Sequence, residues 1–390
     1  MHNKRIAFGV ITYNLNSSSP LKEFLENAIK YDHVVHELII CYSNKVDPKV
    51  VRELSSYCPV HLIHKGDYKI IKDHMIKKGM SCKEIEHLLK TPLKKKYGKV
   101  SYGTSRNYVY MTALMNDHDY LFFFDTDIYP KILNSDEGKN SKFTEVDFIG
   151  AHLKVLNSED DIVATTSDYT GYYIIPKMDF LNLDKLLYGL QKEGQYGYIK
   201  KNEIPVISNS YGENIRVTNK ILGGNLAINL QNKKLLAPFF SETLVMNDEL
   251  FLGRGEDTLF GPIVNNMGGK CVDIDLLVFH DCFGNYPKKP NISEKRNVDR
   301  FYYACVGWLI RNPFFNWIRN EYYKENQDPK EIQDRYEALV IGCKSAAEYF
   351  KDERFLILPE AFKASYAKLD KTIYKYHKLI ASWNKFKTVL

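Results

Sequence analysis

Apolar and polar positions along the first half of the chain alternate between two periods. Residues 5–12 (RIAFGVIT) form a short apolar run that stops at Tyr13-Asn14, a turn signal, and predict a buried strand. Over 21–31, Leu21, Phe24, Leu25 and Ile29 recur at helical spacing, with Ser19 placed as the cap and Pro20 at the first helical position. Residues 36–43 (HELIICYS) predict a second strand, Pro48 to Tyr57 a helix, and 59–64 (PVHLIH) a third strand. Strand–helix–strand units of this length imply a parallel sheet with right-handed crossovers. Ligands of such sheets bind beyond the carboxyl ends of the strands. That rule marks Thr12, Tyr13 and Asn14, the stretch from Tyr42 to Asp47, and the loop after His64 as the mouth of a site.

Further along, 104–116 shows helical periodicity, and 119–130 (DYLFFFDTDIYP) is a buried strand that ends abruptly in acids and a proline. Segments 146–152 and 170–176 predict more strands, 181–190 a helix, and 192–218 a long polar loop of the kind that often forms lids. A helix at 256–267 and a strand at 270–280 (KCVDIDLLVFH) follow the segment 221–230 (ILGGNLAINL). From about 299 the pattern turns helical and aromatic, with helices expected at 331–350 and 361–387. The polar break at 284–298 is the best boundary in the chain. It separates residues 1–285 from a helical accessory region, 299–390.

Composition narrows the class. With 44% hydrophobic and 26% charged residues in 390, the chain has ample core and is not disordered. Seven cysteines (41, 58, 82, 271, 282, 305 and 343) show neither a CxxC pair nor zinc spacing, which predicts free thiols in a reducing, cytoplasmic setting. The N-terminal apolar run is too short for a signal sequence, and no uncharged run approaches the ~18 residues that span a bilayer.

The net charge of +6 is unevenly spread. Residues 64–99, expected as a basic helical insertion, hold eleven lysines against four acids, and 371–390 hold five lysines and no acid. The remainder is therefore acidic. No RNP-like, zinc-finger or helix-turn-helix signature accompanies the lysines, so nucleic acid is not an expected partner. Residues 367–387 place Leu369, Ile373, Tyr376, Ile380, Trp383 and Phe386 at intervals of three and four. Such a stripe packs on neighbouring helices or lies on an anionic membrane surface, which would put the chain at the inner face of the cell membrane. Packing is the favoured reading.

Asp125-Thr126-Asp127 is the sharpest local feature. Two aspartates at i and i+2, where an apolar strand emerges, can converge on one hard cation, Mn²⁺ or Mg²⁺, that holds a diphosphate. A solvated turn is the plainer alternative. Arg106, beside Asn107 near a helix N-terminus, can pair with a phosphate or orient a carboxylate. Glu256 and Asp257 open a helix, where acids complement the dipole or serve as a base. His280 ends a strand with an imidazole suited to metal ligation. Gly223 and Gly224, before Asn225, permit close backbone approach to a ligand, though a Gly-Gly turn needs no function.

The run GTSRNYVYMTALMNDHDYLFFFDTD (103–127) resembles the nucleotide-sugar signature of family-2 and related GT-A glycosyltransferases, and FGVITYN (8–14) is similar to their first strand. The resemblance spans roughly residues 5–283. It implies an α/β, Rossmann-like GT-A fold with a mixed central sheet, here followed by a mainly α-helical C-terminal region. It also implies a metal-dependent transferase that moves a sugar from a nucleotide sugar, by default a UDP-sugar, to a hydroxyl on a glycan, protein or lipid-linked acceptor. In that family pattern Asp125, Asp127 and His280 hold the metal. Thr12, Tyr13, Asn14, Arg106, Asn107, Asp125 and Thr126 lie near the donor, with Asp47 a candidate base contact. Gly223, Gly224 and Asn225 match the small-residue segment beside the sugars. GRGEDTLFG (253–261) matches the Glu-Asp motif, making Asp257 the expected base and Glu256 its neighbour, with inversion slightly favoured over retention. The alternatives are a sugar-phosphate nucleotidyltransferase and a non-catalytic carbohydrate-binding protein on the same fold. The first would want a glycine-rich basic loop after the first strand, which is absent.

Overall fold

The computed structural model describes residues 4–64, 67–90, 101–201, 204–323 and 328–390. Among the described residues eight strands form the central sheet, in the order Arg216–Val217, Lys270–Asp273, Ile162–Thr166, Asn225–Asn229, Tyr120–Phe124, Ile6–Leu15, Val35–Val46 and Val60–His64. The last four run parallel, whereas Asn225–Asn229 is antiparallel to both its neighbours, so the sheet is mixed, as expected.

Period-two alternation sends side chains to two cores. Phe8, Val10, Leu38, Ile40, Tyr120, Phe122 and Phe124 point to one face, packed by helices Ser19–Lys30, Pro48–Leu54 and Phe148–Leu156. Ala7, Ile39, Cys41, Leu121 and Phe123 point to the other, under helices Cys82–Leu89, Tyr102–Met115 and Glu256–Asn266. Gly9 is needed there: a Cβ would sit 2.7 Å from Val109 Cγ1, so the Tyr102–Met115 helix lies directly on the strand.

A third core joins helices Leu183–Gly189, Lys295–Tyr323, Pro329–Phe350 and Leu358–Ala367. The segment 175–199 thus packs with the C-terminal helices, while the last helix, Leu369–Val389, packs against the sheet layer. Its apolar stripe is spent on the interior. Trp383 and Phe386 are fully buried, and Trp383 Nε1 donates to Leu236 O at 2.8 Å. Among the described residues no helix is long and apolar enough to cross a membrane.

Several sequence expectations change. Of residues 146–152, expected as a strand, 148–152 fall in a helix, Phe148–Leu156, because Asp147 accepts from Gly150 N–H and caps it. A central strand, Ile162–Thr166, lies where none is expected, and of 170–176 only Thr170 belongs to a strand, Tyr169–Thr170. The strand expected over 270–280 breaks in two at Asp275, which has φ of 56°. The helix expected at 361–387 is two helices, and in the first helix Ser18 rather than Ser19 holds the N-cap position, its hydroxyl donating to Glu53 instead of capping. Within the basic insertion Lys69–Lys77 and Cys82–Leu89 are helical; residues 65–66 and 91–100 lie outside the described residues. All seven cysteines are free.

Candidate functional site

The site forms where strand Tyr120–Phe124 ends. Its five residues are all buried, and Asp125, Thr126 and Asp127 emerge from it half-exposed. The next two residues, Ile128–Tyr129, pair with Val278–His280, and this register sets His280 opposite Ile128. His280 Nε2 thereby comes within 3.3 Å of Asp127 Oδ2. Burial alone would raise the Asp127 carboxyl; His280 outweighs it and holds the group below its ordinary value.

Arg106 is the hub. It is 3% exposed and lies over the rings of Phe123 and Phe239. Its Nε donates to Glu256 Oε1 at 2.9 Å, its Nη1 donates to Gly223 O at 3.1 Å, and its Nη2 lies 3.6 Å from Asp125 Oδ1. Burial would weaken the guanidinium's hold on its proton, but Glu256, Asp125 and Asp257 reverse that and raise its pKa. Glu256 is held above its ordinary pKa by burial and the adjacent Asp257, against the pull of Arg106. Asp125 is likewise raised, by burial and by the charges of Asp127 and Asp257. The site therefore carries more negative charge than its internal cation neutralises.

Asp257 accepts from Gly223 N–H at 2.9 Å through Oδ2 and from Thr258 N–H at 2.7 Å through Oδ1. Two backbone donors thus fix the carboxylate without neutralising it. The glycines serve the site itself. A Cβ on Gly223 would lie 2.2 Å from Arg106 Nη2, and one on Gly224 would lie 2.3 Å from Ile128 Cδ1 and 2.8 Å from Asp125 Oδ2. Only a missing side chain lets the antiparallel strand approach the acidic turn this closely.

Other expected residues have different work. Asn107 exchanges both amide bonds with the Phe239 backbone, and Asn225 is fully buried between His152 and Leu276 O. Both fix the walls of the site. Asp47 caps helix Pro48–Leu54 by accepting from Lys49 N–H. Gly9 pairs opposite Phe123, so Thr12, Tyr13 and Asn14 overrun the acidic turn on the neighbouring strand. Thr12 Oγ1 donates to Asn14 O, Asn14 Oδ1 accepts from Asn44, and Tyr13 is 63% exposed.

Tyr169 has no local sequence signal and belongs to the site. Its ring stands 4.9 Å from that of His280, and its hydroxyl lies 2.9 Å from where a Gly224 Cβ would be. Burial and the nearby Asp125 and Asp257 push that hydroxyl's pKa well up, keeping it a hydrogen-bond donor.

Among the described residues no three His, Cys, Asp or Glu side chains are gathered closely enough to grip a metal ion. Asp127 and His280 touch, while Asp125 is turned toward Arg106. The donor set nonetheless suits a divalent cation: two carboxylates and an imidazole, with surplus negative charge around them.

No protein-family model matches the chain, and no curated protein matches its sequence. Among solved structures it is similar to a mycobacterial protein, with 13% identity over 79% of this chain and 74% of that one, at a TM-score of 0.39. It is also similar to glucosyl-3-phosphoglycerate synthase from Mycobacterium tuberculosis. The complex of that protein with phosphoglyceric acid matches at 14% identity, 77% and 79% coverage and a TM-score of 0.38. Its complex with Mn²⁺, uridine diphosphate and glucosyl-3-phosphoglycerate matches at 14%, 77% and 80%, and 0.37.

Proposed function

We propose that the chain is a metal-dependent glycosyltransferase that moves a sugar from a nucleotide-sugar donor to a hydroxyl acceptor. One observation carries the reading: buried Arg106 joins the acidic turn at Asp125 to the Glu256-Asp257 pair, which lies about 130 residues further along the chain. Asp125, Asp127 and His280 would hold the divalent cation, Mn²⁺ or Mg²⁺. A bound cation of this kind supplies charge neutralisation for a departing nucleoside diphosphate. Asp257, held open by two backbone donors, is the base for the acceptor hydroxyl, and this favours inversion at the sugar carbon. Arg106 sets the spacing between the two carboxylate groups.

A membrane-bound acceptor would have to be met through the lysine side of helix Leu369–Val389, since its apolar side faces inward. Nucleotide-sugar hydrolysis measured with Mn²⁺ tests the assignment. UDP-sugar turnover is expected and should vanish in Asp127→Asn; turnover unchanged in that variant would remove the metal role.

A further inference from the structure

Three cations lie near the start of helix Glu256–Asn266. Arg254 immediately precedes Gly255, the left-handed residue that opens helix Glu256–Asn266. Its N–H donates to Gly307 O at 3.1 Å. A Cβ on Gly307 would meet Arg254 Cγ at 2.7 Å, so helix Lys295–Tyr323 is pressed against this turn. One turn along that helix, Arg311 lies beneath Gly255: a Cβ there would come 2.7 Å from Arg311 Nη1. Lys192 reaches in from beyond helix Leu183–Gly189 with its Nζ 4.6 Å over the ring of Trp308. Trp308 and Arg311 are three apart on one helix and share a face.

None of the three has an acid of its own. Among the described residues no carboxylate lies within ion-pair distance of Lys192, Arg254 or Arg311. Glu256 is taken by Arg106, Glu193 by Arg335, and Glu242 by Lys375. Arg311 is only 7% exposed, and its Nε has no hydrogen-bond partner. It lines a small cavity of ≈ 10 Å³, about the room of one water, together with Arg254 and the carboxylates of Glu242 and Glu256. Burial pulls the Arg311 pKa down to about 10; burial and the charge of Arg311 pull that of Lys192 down to about 8. Arg311 Nη2 donates to Asn312 Oδ1 at 2.8 Å, but neighbouring cations without a carboxylate beside a positive helix end still repel one another unless an anion joins them. The site carboxylate that acts on both Lys192 and Arg311 is Asp257, the base assigned above.

We propose that Lys192, Arg254 and Arg311 form a subsite for an anionic group, a phosphate or a carboxylate, carried by the acceptor, which leaves the acceptor hydroxyl at Asp257. This deepens the transferase reading and rests on it for the word acceptor. The same cations could instead serve the donor's diphosphate, and the test separates the two.

The probe is inorganic phosphate, titrated calorimetrically into the full-length protein against chloride at equal ionic strength, with and without saturating uridine diphosphate and Mn²⁺. Phosphate should bind in both conditions. Lys192→Met, which keeps an apolar stem on Trp308, should weaken it on the order of tenfold while the far-ultraviolet spectrum and Tm are retained. Arg311→Lys should weaken it as well. Phosphate no better bound than chloride, or equal binding in a folded Lys192→Met, overturns the subsite. Displacement by uridine diphosphate overturns its assignment to the acceptor. Donor hydrolysis is read separately: phosphate binding without any hydrolysis sinks the transferase reading, and hydrolysis without phosphate binding sinks only the subsite.

Discussion

Arg106 Nε and Glu256 Oε1 are 2.9 Å apart, both side chains almost wholly buried, and 150 residues separate them in the chain. Neither charge tolerates this burial alone. Each is acceptable because the other is present and because Gly223 O and Asp125 occupy the remaining guanidinium nitrogens. The pair thus ties the start of helix Glu256–Asn266 to the acidic turn, and its loss should be felt in fold and site together.

Arg106→Lys tests that hub. A lysine offers a point charge in place of a planar fork, so the bonds to Glu256 and Gly223 cannot both be kept. We expect a loss of about 2–4 kcal/mol in urea unfolding and a larger proportional loss of donor turnover than of donor binding. Wild-type stability in the lysine variant would show that the geometry of the fork is unimportant.

Gly224→Ala places a methyl group 2.3 Å from Ile128 Cδ1 and 2.8 Å from Asp125 Oδ2. Something must move, at about 1–3 kcal/mol. The acidic turn is the softer neighbour, so turnover should fall on the order of a hundredfold with the protein still folded by circular dichroism. Retained turnover would mean that Asp125 does not need its present position.

His152 supplies a pH dependence of stability. It is fully buried, bonded to Thr165 and Asn225, and burial lowers its pKa to about 3. The folded state refuses a proton that the unfolded state takes up below about pH 6.5. Stability is therefore lost as pH falls through that value, by about 2 kcal/mol between pH 7 and 5 from this group. Urea midpoints should show that slope in the wild type and lose it in His152→Gln, measured relative to each protein at pH 7. Parallel slopes would contradict it.

Glu242 latches the last helix. Its carboxylate meets Lys375 at 2.8 Å, Lys368 at 3.4 Å and Thr372 Oγ1 at 2.9 Å. Burial would raise its pKa, but the two lysines outweigh that and keep it below its ordinary value. Glu242→Gln should cost about 1–3 kcal/mol and speed hydrogen exchange in 369–389 more than in the sheet. Uniform exchange changes would argue against a local latch.

Much of the sheet was legible because its strands are apolar on both faces or end in turn residues. Tyr120 to Phe124 could be little else than a buried strand, and the acids after it had to surface. Ile162–Thr166 was not legible: IVATT is short, flanked by polar residues, and central only because its neighbours pair with it. Residues 146–152 have a β-like composition, but the Asp147 cap closes the first turn of a helix there. Asn107 and Asn225 matched the family pattern by position, but their amides are used by the backbone around the site.

By itself, the sequence determined the periodicities, the parallel opening, the helical tail and the acids at strand and helix ends, because these depend on neighbours within a few residues. Tertiary structure alone decided that Arg106 would join Asp125 to Glu256, that His280 would meet Asp127, and that Tyr169 would stand beside them. It also decided that Lys192, Arg254 and Arg311 would lie around helix Lys295–Tyr323 without a carboxylate in ion-pair reach among the described residues. Those relations depend on register between strands far apart in the chain and on which charges burial forces into contact. Local pattern carries neither.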